Sequence, residues 1–154
     1  MQPEIVVRPA ATIAGLKIRT APMSPDIPAL WPRFVARIAE MAQQATPGVT
    51  YGVMSPAGPD MAALDYLAGV AVTDAEALPD GVSSWVLPAG SYAVFRTPFA
   101  RLGPAYDEIF RAWLPAADVV QAAGPLFERY DADFCPDRPE SIVEIGVPVT
   151  PRSR

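Results

Sequence analysis

Gly124-Pro-Leu-Phe-Glu-Arg-Tyr130 and, beyond a polar loop, Ile142-Val-Glu-Ile-Gly-Val-Pro-Val149 form the stretch on which the fold reading turns. Both runs are β-branched or aromatic and alternate, the pattern of strands with one face buried. In the second run Val143, Ile145, Val147 and Val149 share one face, which leaves Glu144, Gly146 and Pro148 on the other. A carboxylate inside an apolar strand costs free energy unless something pairs with it or protonates it. Glu144 is therefore a candidate site residue. Glu128, set between Phe127 and Tyr130, repeats the oddity and is the second candidate. The plain alternative is an edge-strand glutamate in water. For Glu128 the flanking Arg129 and Asp131 argue that part of its strand is wet.

Working outward, residues 4–20 read as an extended strand broken near Pro9. Met23 to Pro28 opens a helix whose Ile27, Leu30, Phe34, Ile38 and Met41 recur at helical spacing to about Gln44. Pro32 argues that its regular part begins late. Strands follow at 49–55 and 65–72, then a polar connector at 73–84 and a strand at 91–97. A second helix runs from about Arg101 to Leu114, with Leu102, Tyr106, Ile109, Phe110 and Trp113 along one stripe. The order is strand–helix–strand–strand, twice. An offset of 77 residues aligns Arg19-Thr20 with Arg96-Thr97 and Gly69-Val70-x-Val72 with Gly146-Val147-x-Val149 without a gap. The expectation is an internal duplication, repeat one about 4–77 and repeat two about 81–154. Halves this small bury too little alone and should share one sheet within a single domain, 1–154. The same offset sets Glu144 against Leu67 and Glu128 against Tyr51, so both carboxylates are particular to the second half.

Composition narrows the chemistry. Hydrophobic residues make up 51% of the 154, enough for a packed core, and no apolar run reaches the roughly 18 residues of a membrane span. The N-terminus has no basic segment ahead of an apolar one, and Cys135 is the single cysteine, so the reading is a cytoplasmic chain without a signal peptide or disulfide. Cys135 has acidic neighbours and reads as a plain free thiol. A net charge of −5 with 11 scattered arginines argues against nucleic acid as a partner. The absence of histidine removes Ser-His-Asp and Cys-His catalysis and the commonest transition-metal ligand. No metal or cofactor is expected, and acid–base work falls to carboxylates or tyrosines.

Among the aromatics, Trp113 and Phe110 lie on the helix stripe and read as core. Trp31 fits core and cleft equally. Tyr66 and Tyr92 are better cleft candidates, because a buried tyrosine needs a partner for its hydroxyl, and Trp85 joins them as a wall residue. Such a wall around a carboxylate suits a flat cation.

Asp65-Tyr-Leu-Ala-Gly-Val-x-Val72, Leu87-Pro-Ala-Gly-Ser-Tyr-Ala-Val-Phe95, Trp113-Leu-Pro115, Phe127-Glu-x-Tyr130 and Val143-Glu-Ile-x-Val-Pro-Val149 together resemble the GyrI-like family, also called AraC-type effector-binding domains. The resemblance implies an α+β fold. It implies two β-α-β-β repeats that form one antiparallel sheet, with two helices on one face and a ligand cleft on the other. It implies a small hydrophobic, often cationic, aromatic ligand met by a buried glutamate, and Glu128 and Glu144 occupy the family's two glutamate positions. Many members have tyrosine where this chain has Gly146, which should widen the cleft.

The leading expectation is a free-standing protein that senses or sequesters such compounds through Glu144, Glu128, Tyr66, Tyr92, Trp31 and Trp85. The alternatives are a cofactor-free hydrolase of cyclopropane-bearing genotoxins, with Glu144 catalytic, and a protein-binding module such as a topoisomerase inhibitor. The charge balance yields a first test. The purified chain should show no salt-sensitive, sequence-selective retention of duplex DNA in a mobility-shift assay.

Overall fold

Two connectors of two residues each dictate how the sheet closes. In the computed structural model, which describes all residues except 42, 58–61, 77 and 154, Pro9-Ala10 joins β1 (Glu4–Arg8) to β2 (Ala11–Thr20). Pro88-Ala89 joins β5 (Ser83–Leu87) to β6 (Gly90–Pro98). The remaining strands are β3 (Thr50–Ala57), β4 (Ala63–Val72), β7 (Val119–Gln121), β8 (Leu126–Tyr130) and β9 (Ile142–Pro151). Every pairing is antiparallel, the order is β1-β6-β9-β8-β3-β4-β2-β5, and β7 pairs with β9 to the side. β1 thus lies at one edge and β2 next to the other, yet the chain between them spans at most about 11 Å. The sheet has to curl until its edges approach, which makes it a half-barrel. Among the described residues β1 and β5 do not pair with each other, so a seam stays open.

Curling gives the sheet unequal faces. The inner face holds one apolar cluster drawn from both edges, with Ile13, Val53, Leu67, Leu87, Tyr92 and Phe127 at its centre. The outer face carries the helices in two separate clusters. Helix α1 (Asp26–Val35) buries Leu30 and Phe34 over β2 and β4. Helix α2 (Leu102–Glu108) buries Ala105, and Ile109 just after it, over Phe95, Ile145 and Val147. Both helices therefore pack on one face, as expected. Burying Leu30 and Phe34 stabilises by about 1.5–3 kcal/mol each, which outweighs the roughly 3 kcal/mol cost of a proline inside a helix. Pro32 accordingly sits within α1 rather than delaying it, and the helix ends at Val35, before a 3-10 turn at Ile38–Glu40. After α2 the chain widens into a π turn at Ile109–Trp113, which sets the Trp113 ring edge-on to Phe95 at 5.0 Å.

The strand order reads the same from both edges when β1, β2, β4 and β3 are matched to β5, β6, β9 and β8. An internal duplication is the origin we propose for that symmetry. The match slips by one residue in β8. Tyr51 lies in the inner cluster whereas Glu128 faces the helices, so Glu128 corresponds to its ladder partner Gly52 and not to Tyr51.

Gly146 is where the inner core leaves no room for a side chain beside Phe127. A Cβ there would collide with the Phe127 ring, which is fully buried and has no room to retreat. Gly146→Ala should therefore lower stability by about 1–3 kcal/mol in denaturant unfolding. Gly103→Ala, with only the flexible Met23 tip near it, should not. Equal stability of the two variants would contradict this packing.

Candidate functional site

The register Gly52↔Glu128 places Glu128 in the middle of the sheet, where the two halves meet. Alternation along β8 turns Leu126, Glu128 and Tyr130 toward the helices and Phe127 and Arg129 inward. Glu128 is 5% exposed. Its Oε2 accepts the Tyr106 hydroxyl of α2 at 2.6 Å, and its Oε1 accepts the hydroxyl of Tyr130. Tyr66, from β4, crosses above Gly52, and its hydroxyl accepts the Trp31 Nε1–H of α1 at 3.1 Å. Gly52 is what lets it do so, because a Cβ at that position would run into the Tyr66 hydroxyl. Trp31 stands edge-on to Tyr130 at 5.3 Å. Four elements thus bring four aromatic side chains around one carboxyl group.

The electrostatics of this cluster are unbalanced. Burial pushes the Glu128 carboxyl above its ordinary range, and the two tyrosine O–H bonds oppose that rise without cancelling it. Burial, and then the Glu128 charge, drive Tyr66, Tyr106 and Tyr130 well above theirs. Hydrogen bonds to a charged group stabilise by about 1.5–3 kcal/mol each, whereas removing a carboxylate from water costs several. Among the described residues no lysine or arginine makes a salt bridge to Glu128. The group is poised to take up a proton or a cation.

The sequence candidates divide between the faces. Glu128, Tyr66 and Trp31 come together on the helix side. Glu144, Tyr92 and Trp85 lie on the inner side. Glu144 is not the unpaired carboxylate that its apolar flanks predict. Its strand neighbours place an arginine directly across on each side, and it accepts from Arg129 at 3.0 Å and Arg96 at 3.3 Å. Arg19 and Asp65, 2.8 Å apart across β2 and β4, make the same cross-strand pair in the first half. The Tyr92 hydroxyl donates to the Pro88 carbonyl at 2.6 Å, and the Trp85 ring lies under Lys17. The inner face is packed at its centre, and open grooves of about 470 and 410 Å³ flank Glu144 at its rim. Tyr106 and Tyr130 were absent from the candidates. Their signals are a tyrosine on a buried helix stripe and a tyrosine two residues from Glu128 on the same strand face. Among the described residues no group of three metal-ligating side chains occurs, and no helix is long and apolar enough to cross a membrane.

A curled antiparallel sheet with two helices on its outer face and a carboxyl group buried beneath them defines an effector-binding type of domain. The chain belongs to the family of GyrI-like small molecule binding domains, whose sequence model matches residues 1–150. It is 30% identical over 154 residues to the transcriptional regulator BrlR of Pseudomonas aeruginosa, covering 97% of this chain and 56% of that one. The chain thus spans about half the length of this curated relative. Three solved structures share the fold. SAV2435 bound to tetraphenylphosphonium has a TM-score of 0.72 at 20% identity, covering 97% and 94% of the two chains. The EcmrR C-terminal domain has 0.70 at 14%, covering 98% of each. An integron cassette protein of Vibrio cholerae has 0.67 at 22%, covering 97% of each.

The raised Glu128 pKa has a signed consequence. A carboxyl group that holds its proton more tightly when folded favours the native state while protonated. That contribution fades as pH climbs from the ordinary value of 4.5 through the raised one. Glu128→Gln cannot ionise and removes the effect. Between pH 4 and pH 8 the melting temperature of the native chain should therefore fall relative to that of Glu128→Gln. Parallel profiles would show that Glu128 titrates normally.

Proposed function

We propose that this chain binds lipophilic aromatic cations at Glu128, beneath α1 and α2. The role is to sense or sequester them. The observation that carries the reading is the buried carboxyl group, surrounded by aromatic rings and served, among the described residues, only by tyrosine hydroxyls. Both hydroxyl bonds aim the carboxylate and keep it from rotating, so its charge is preorganised for an incoming cation. Trp31, partly exposed at the edge of α1, and Tyr106 on α2 offer ring faces to the ligand's aromatic groups and to its charge. The presence of tetraphenylphosphonium in the related SAV2435 structure supports this class of ligand. In a longer protein such as the curated relative, the same domain would supply the sensing half.

A cation next to Glu128 holds it ionised and lowers its pKa. Affinity for tetraphenylphosphonium should therefore rise with pH through the raised Glu128 pKa, because a proton competes for the same group below it. Glu128→Gln should weaken tetraphenylphosphonium by about tenfold or more, and neutral triphenylphosphine oxide much less, in isothermal titration calorimetry. Equal losses for both would make Glu128 mere wall. Glu144→Gln, already paired and on the other face, should change affinity by less than about twofold. A large loss there would move the site to the inner face. Mass spectrometry of a cyclopropane-bearing alkylator after incubation should recover it unchanged. Gain of one water, abolished by removing either glutamate, would make the protein a hydrolase instead.

A further inference from the structure

Arg8 is the last residue of β1, at the open seam of the half-barrel, and its side chain reaches inward rather than out to solvent. Its guanidinium lies over the Phe127 ring at 5.1 Å from the centroid, and Nη2 donates to the Tyr51 hydroxyl at 3.5 Å. That is a long bond, and four other N–H donors of the fork have no protein acceptor among the described hydrogen bonds. Among the described residues Arg8 makes no salt bridge. The Phe127 ring attracts the guanidinium charge but offers its N–H groups no oxygen acceptor, so they stay free to bind one. A half-buried guanidinium with free N–H groups lacks an anion.

The neighbours fit one. Tyr51 lies directly across from Arg129 in the β3–β8 ladder, and its hydroxyl, which accepts from Arg8, keeps its own hydrogen to donate elsewhere. Arg129 is neutralised by Glu144 at 3.0 Å, so the unbalanced charge is that of Arg8. Lys17, over the Trp85 ring at 4.7 Å, is a second cation on this face that makes no salt bridge among the described residues. The two faces of the sheet thus carry opposite imbalances, a buried carboxylate outside and unpaired cations over aromatic rings inside. This contrast appears in a chain whose net charge is −5.

We propose that Arg8 and the Tyr51 hydroxyl form an anion site at the seam, distinct from the Glu128 cluster, for the carboxylate of a small aromatic acid. The acid group takes the free fork of Arg8 side-on and accepts the Tyr51 O–H. The ring of the ligand lies along the seam between β1 and β5, where the half-buried Trp85 adds apolar surface on the inner face. This does not rest on the cation reading, since it uses the other face of the sheet and none of the same side chains.

The probe is 2-naphthoate, titrated into the full chain by calorimetry at low ionic strength, with 2-naphthylmethanol as the neutral control. The expected result is saturable binding that weakens with salt, falls about tenfold in Arg8→Gln and falls less in Arg8→Lys, which keeps the charge without the fork. Tyr51→Phe should also weaken it, and saturating tetraphenylphosphonium should not displace it. Should Arg8→Gln fail to fold, Arg8→Lys and Tyr51→Phe carry the comparison. Absence of saturable binding, affinity indifferent to all three changes, equal binding of the alcohol, or displacement by tetraphenylphosphonium would each overturn the proposal.

Discussion

Closure of the sheet by Pro9-Ala10 and Pro88-Ala89 is the constraint on which the rest of the structure depends. Each connector ties a strand at one edge to a strand beside the opposite edge, and neither is long enough to allow a flat sheet. Curling then creates an inside, filled by one apolar cluster, and an outside that the helices must cover. Proline at the head of each connector removes a backbone donor where the chain leaves the ladder, so the crossing leaves no ladder donor unpaired at that residue. From this follows the position of β3 and β8 at the centre of the path, farthest from both edges and beneath the gap between the helices.

That central position gives Glu128 its character. An edge glutamate would be in water, and one beside arginines would be paired, as Glu144 is. Glu128 is central, faces away from Arg129, and among the described residues hydrogen-bonds only to hydroxyl groups. The tyrosines hold the carboxylate in place yet do not neutralise it. Stability and binding pull in opposite directions at such a group, because the burial that costs the fold free energy is what leaves charge available to a ligand. Gly52 and Gly146 mark the two places where a missing Cβ makes room for this arrangement, one for the Tyr66 hydroxyl outside and one for the Phe127 ring inside.

Much of the fold was legible in the chain because it depends on local periodicity. The faces of β9 follow from strict alternation, and Val143, Ile145, Val147 and Val149 are all buried as that alternation requires. The helix stripes at Leu30 and Phe34 and at Leu102 to Trp113 follow from spacing alone. The break at Pro9 was legible too. The end of α1 and the strand β7 were not, since their boundaries are set by packing and by pairing with β9.

The sequence by itself determined that two glutamates lie inside apolar strands, that no histidine chemistry is available, and that acid–base work falls to carboxylates or tyrosines. It could not say which glutamate is paired. That depends on which side chains the neighbouring strands bring opposite each position, and register is a property of the assembled sheet. Arg96 and Arg129, 48 and 15 residues away in sequence, both end up facing Glu144. Tyr106, from a helix 22 residues before Glu128, ends up against it. Tertiary structure alone decided which carboxylate is paired with arginines and which is left without a countercharge beneath the helices, because pairing is decided by distance in space and not along the chain.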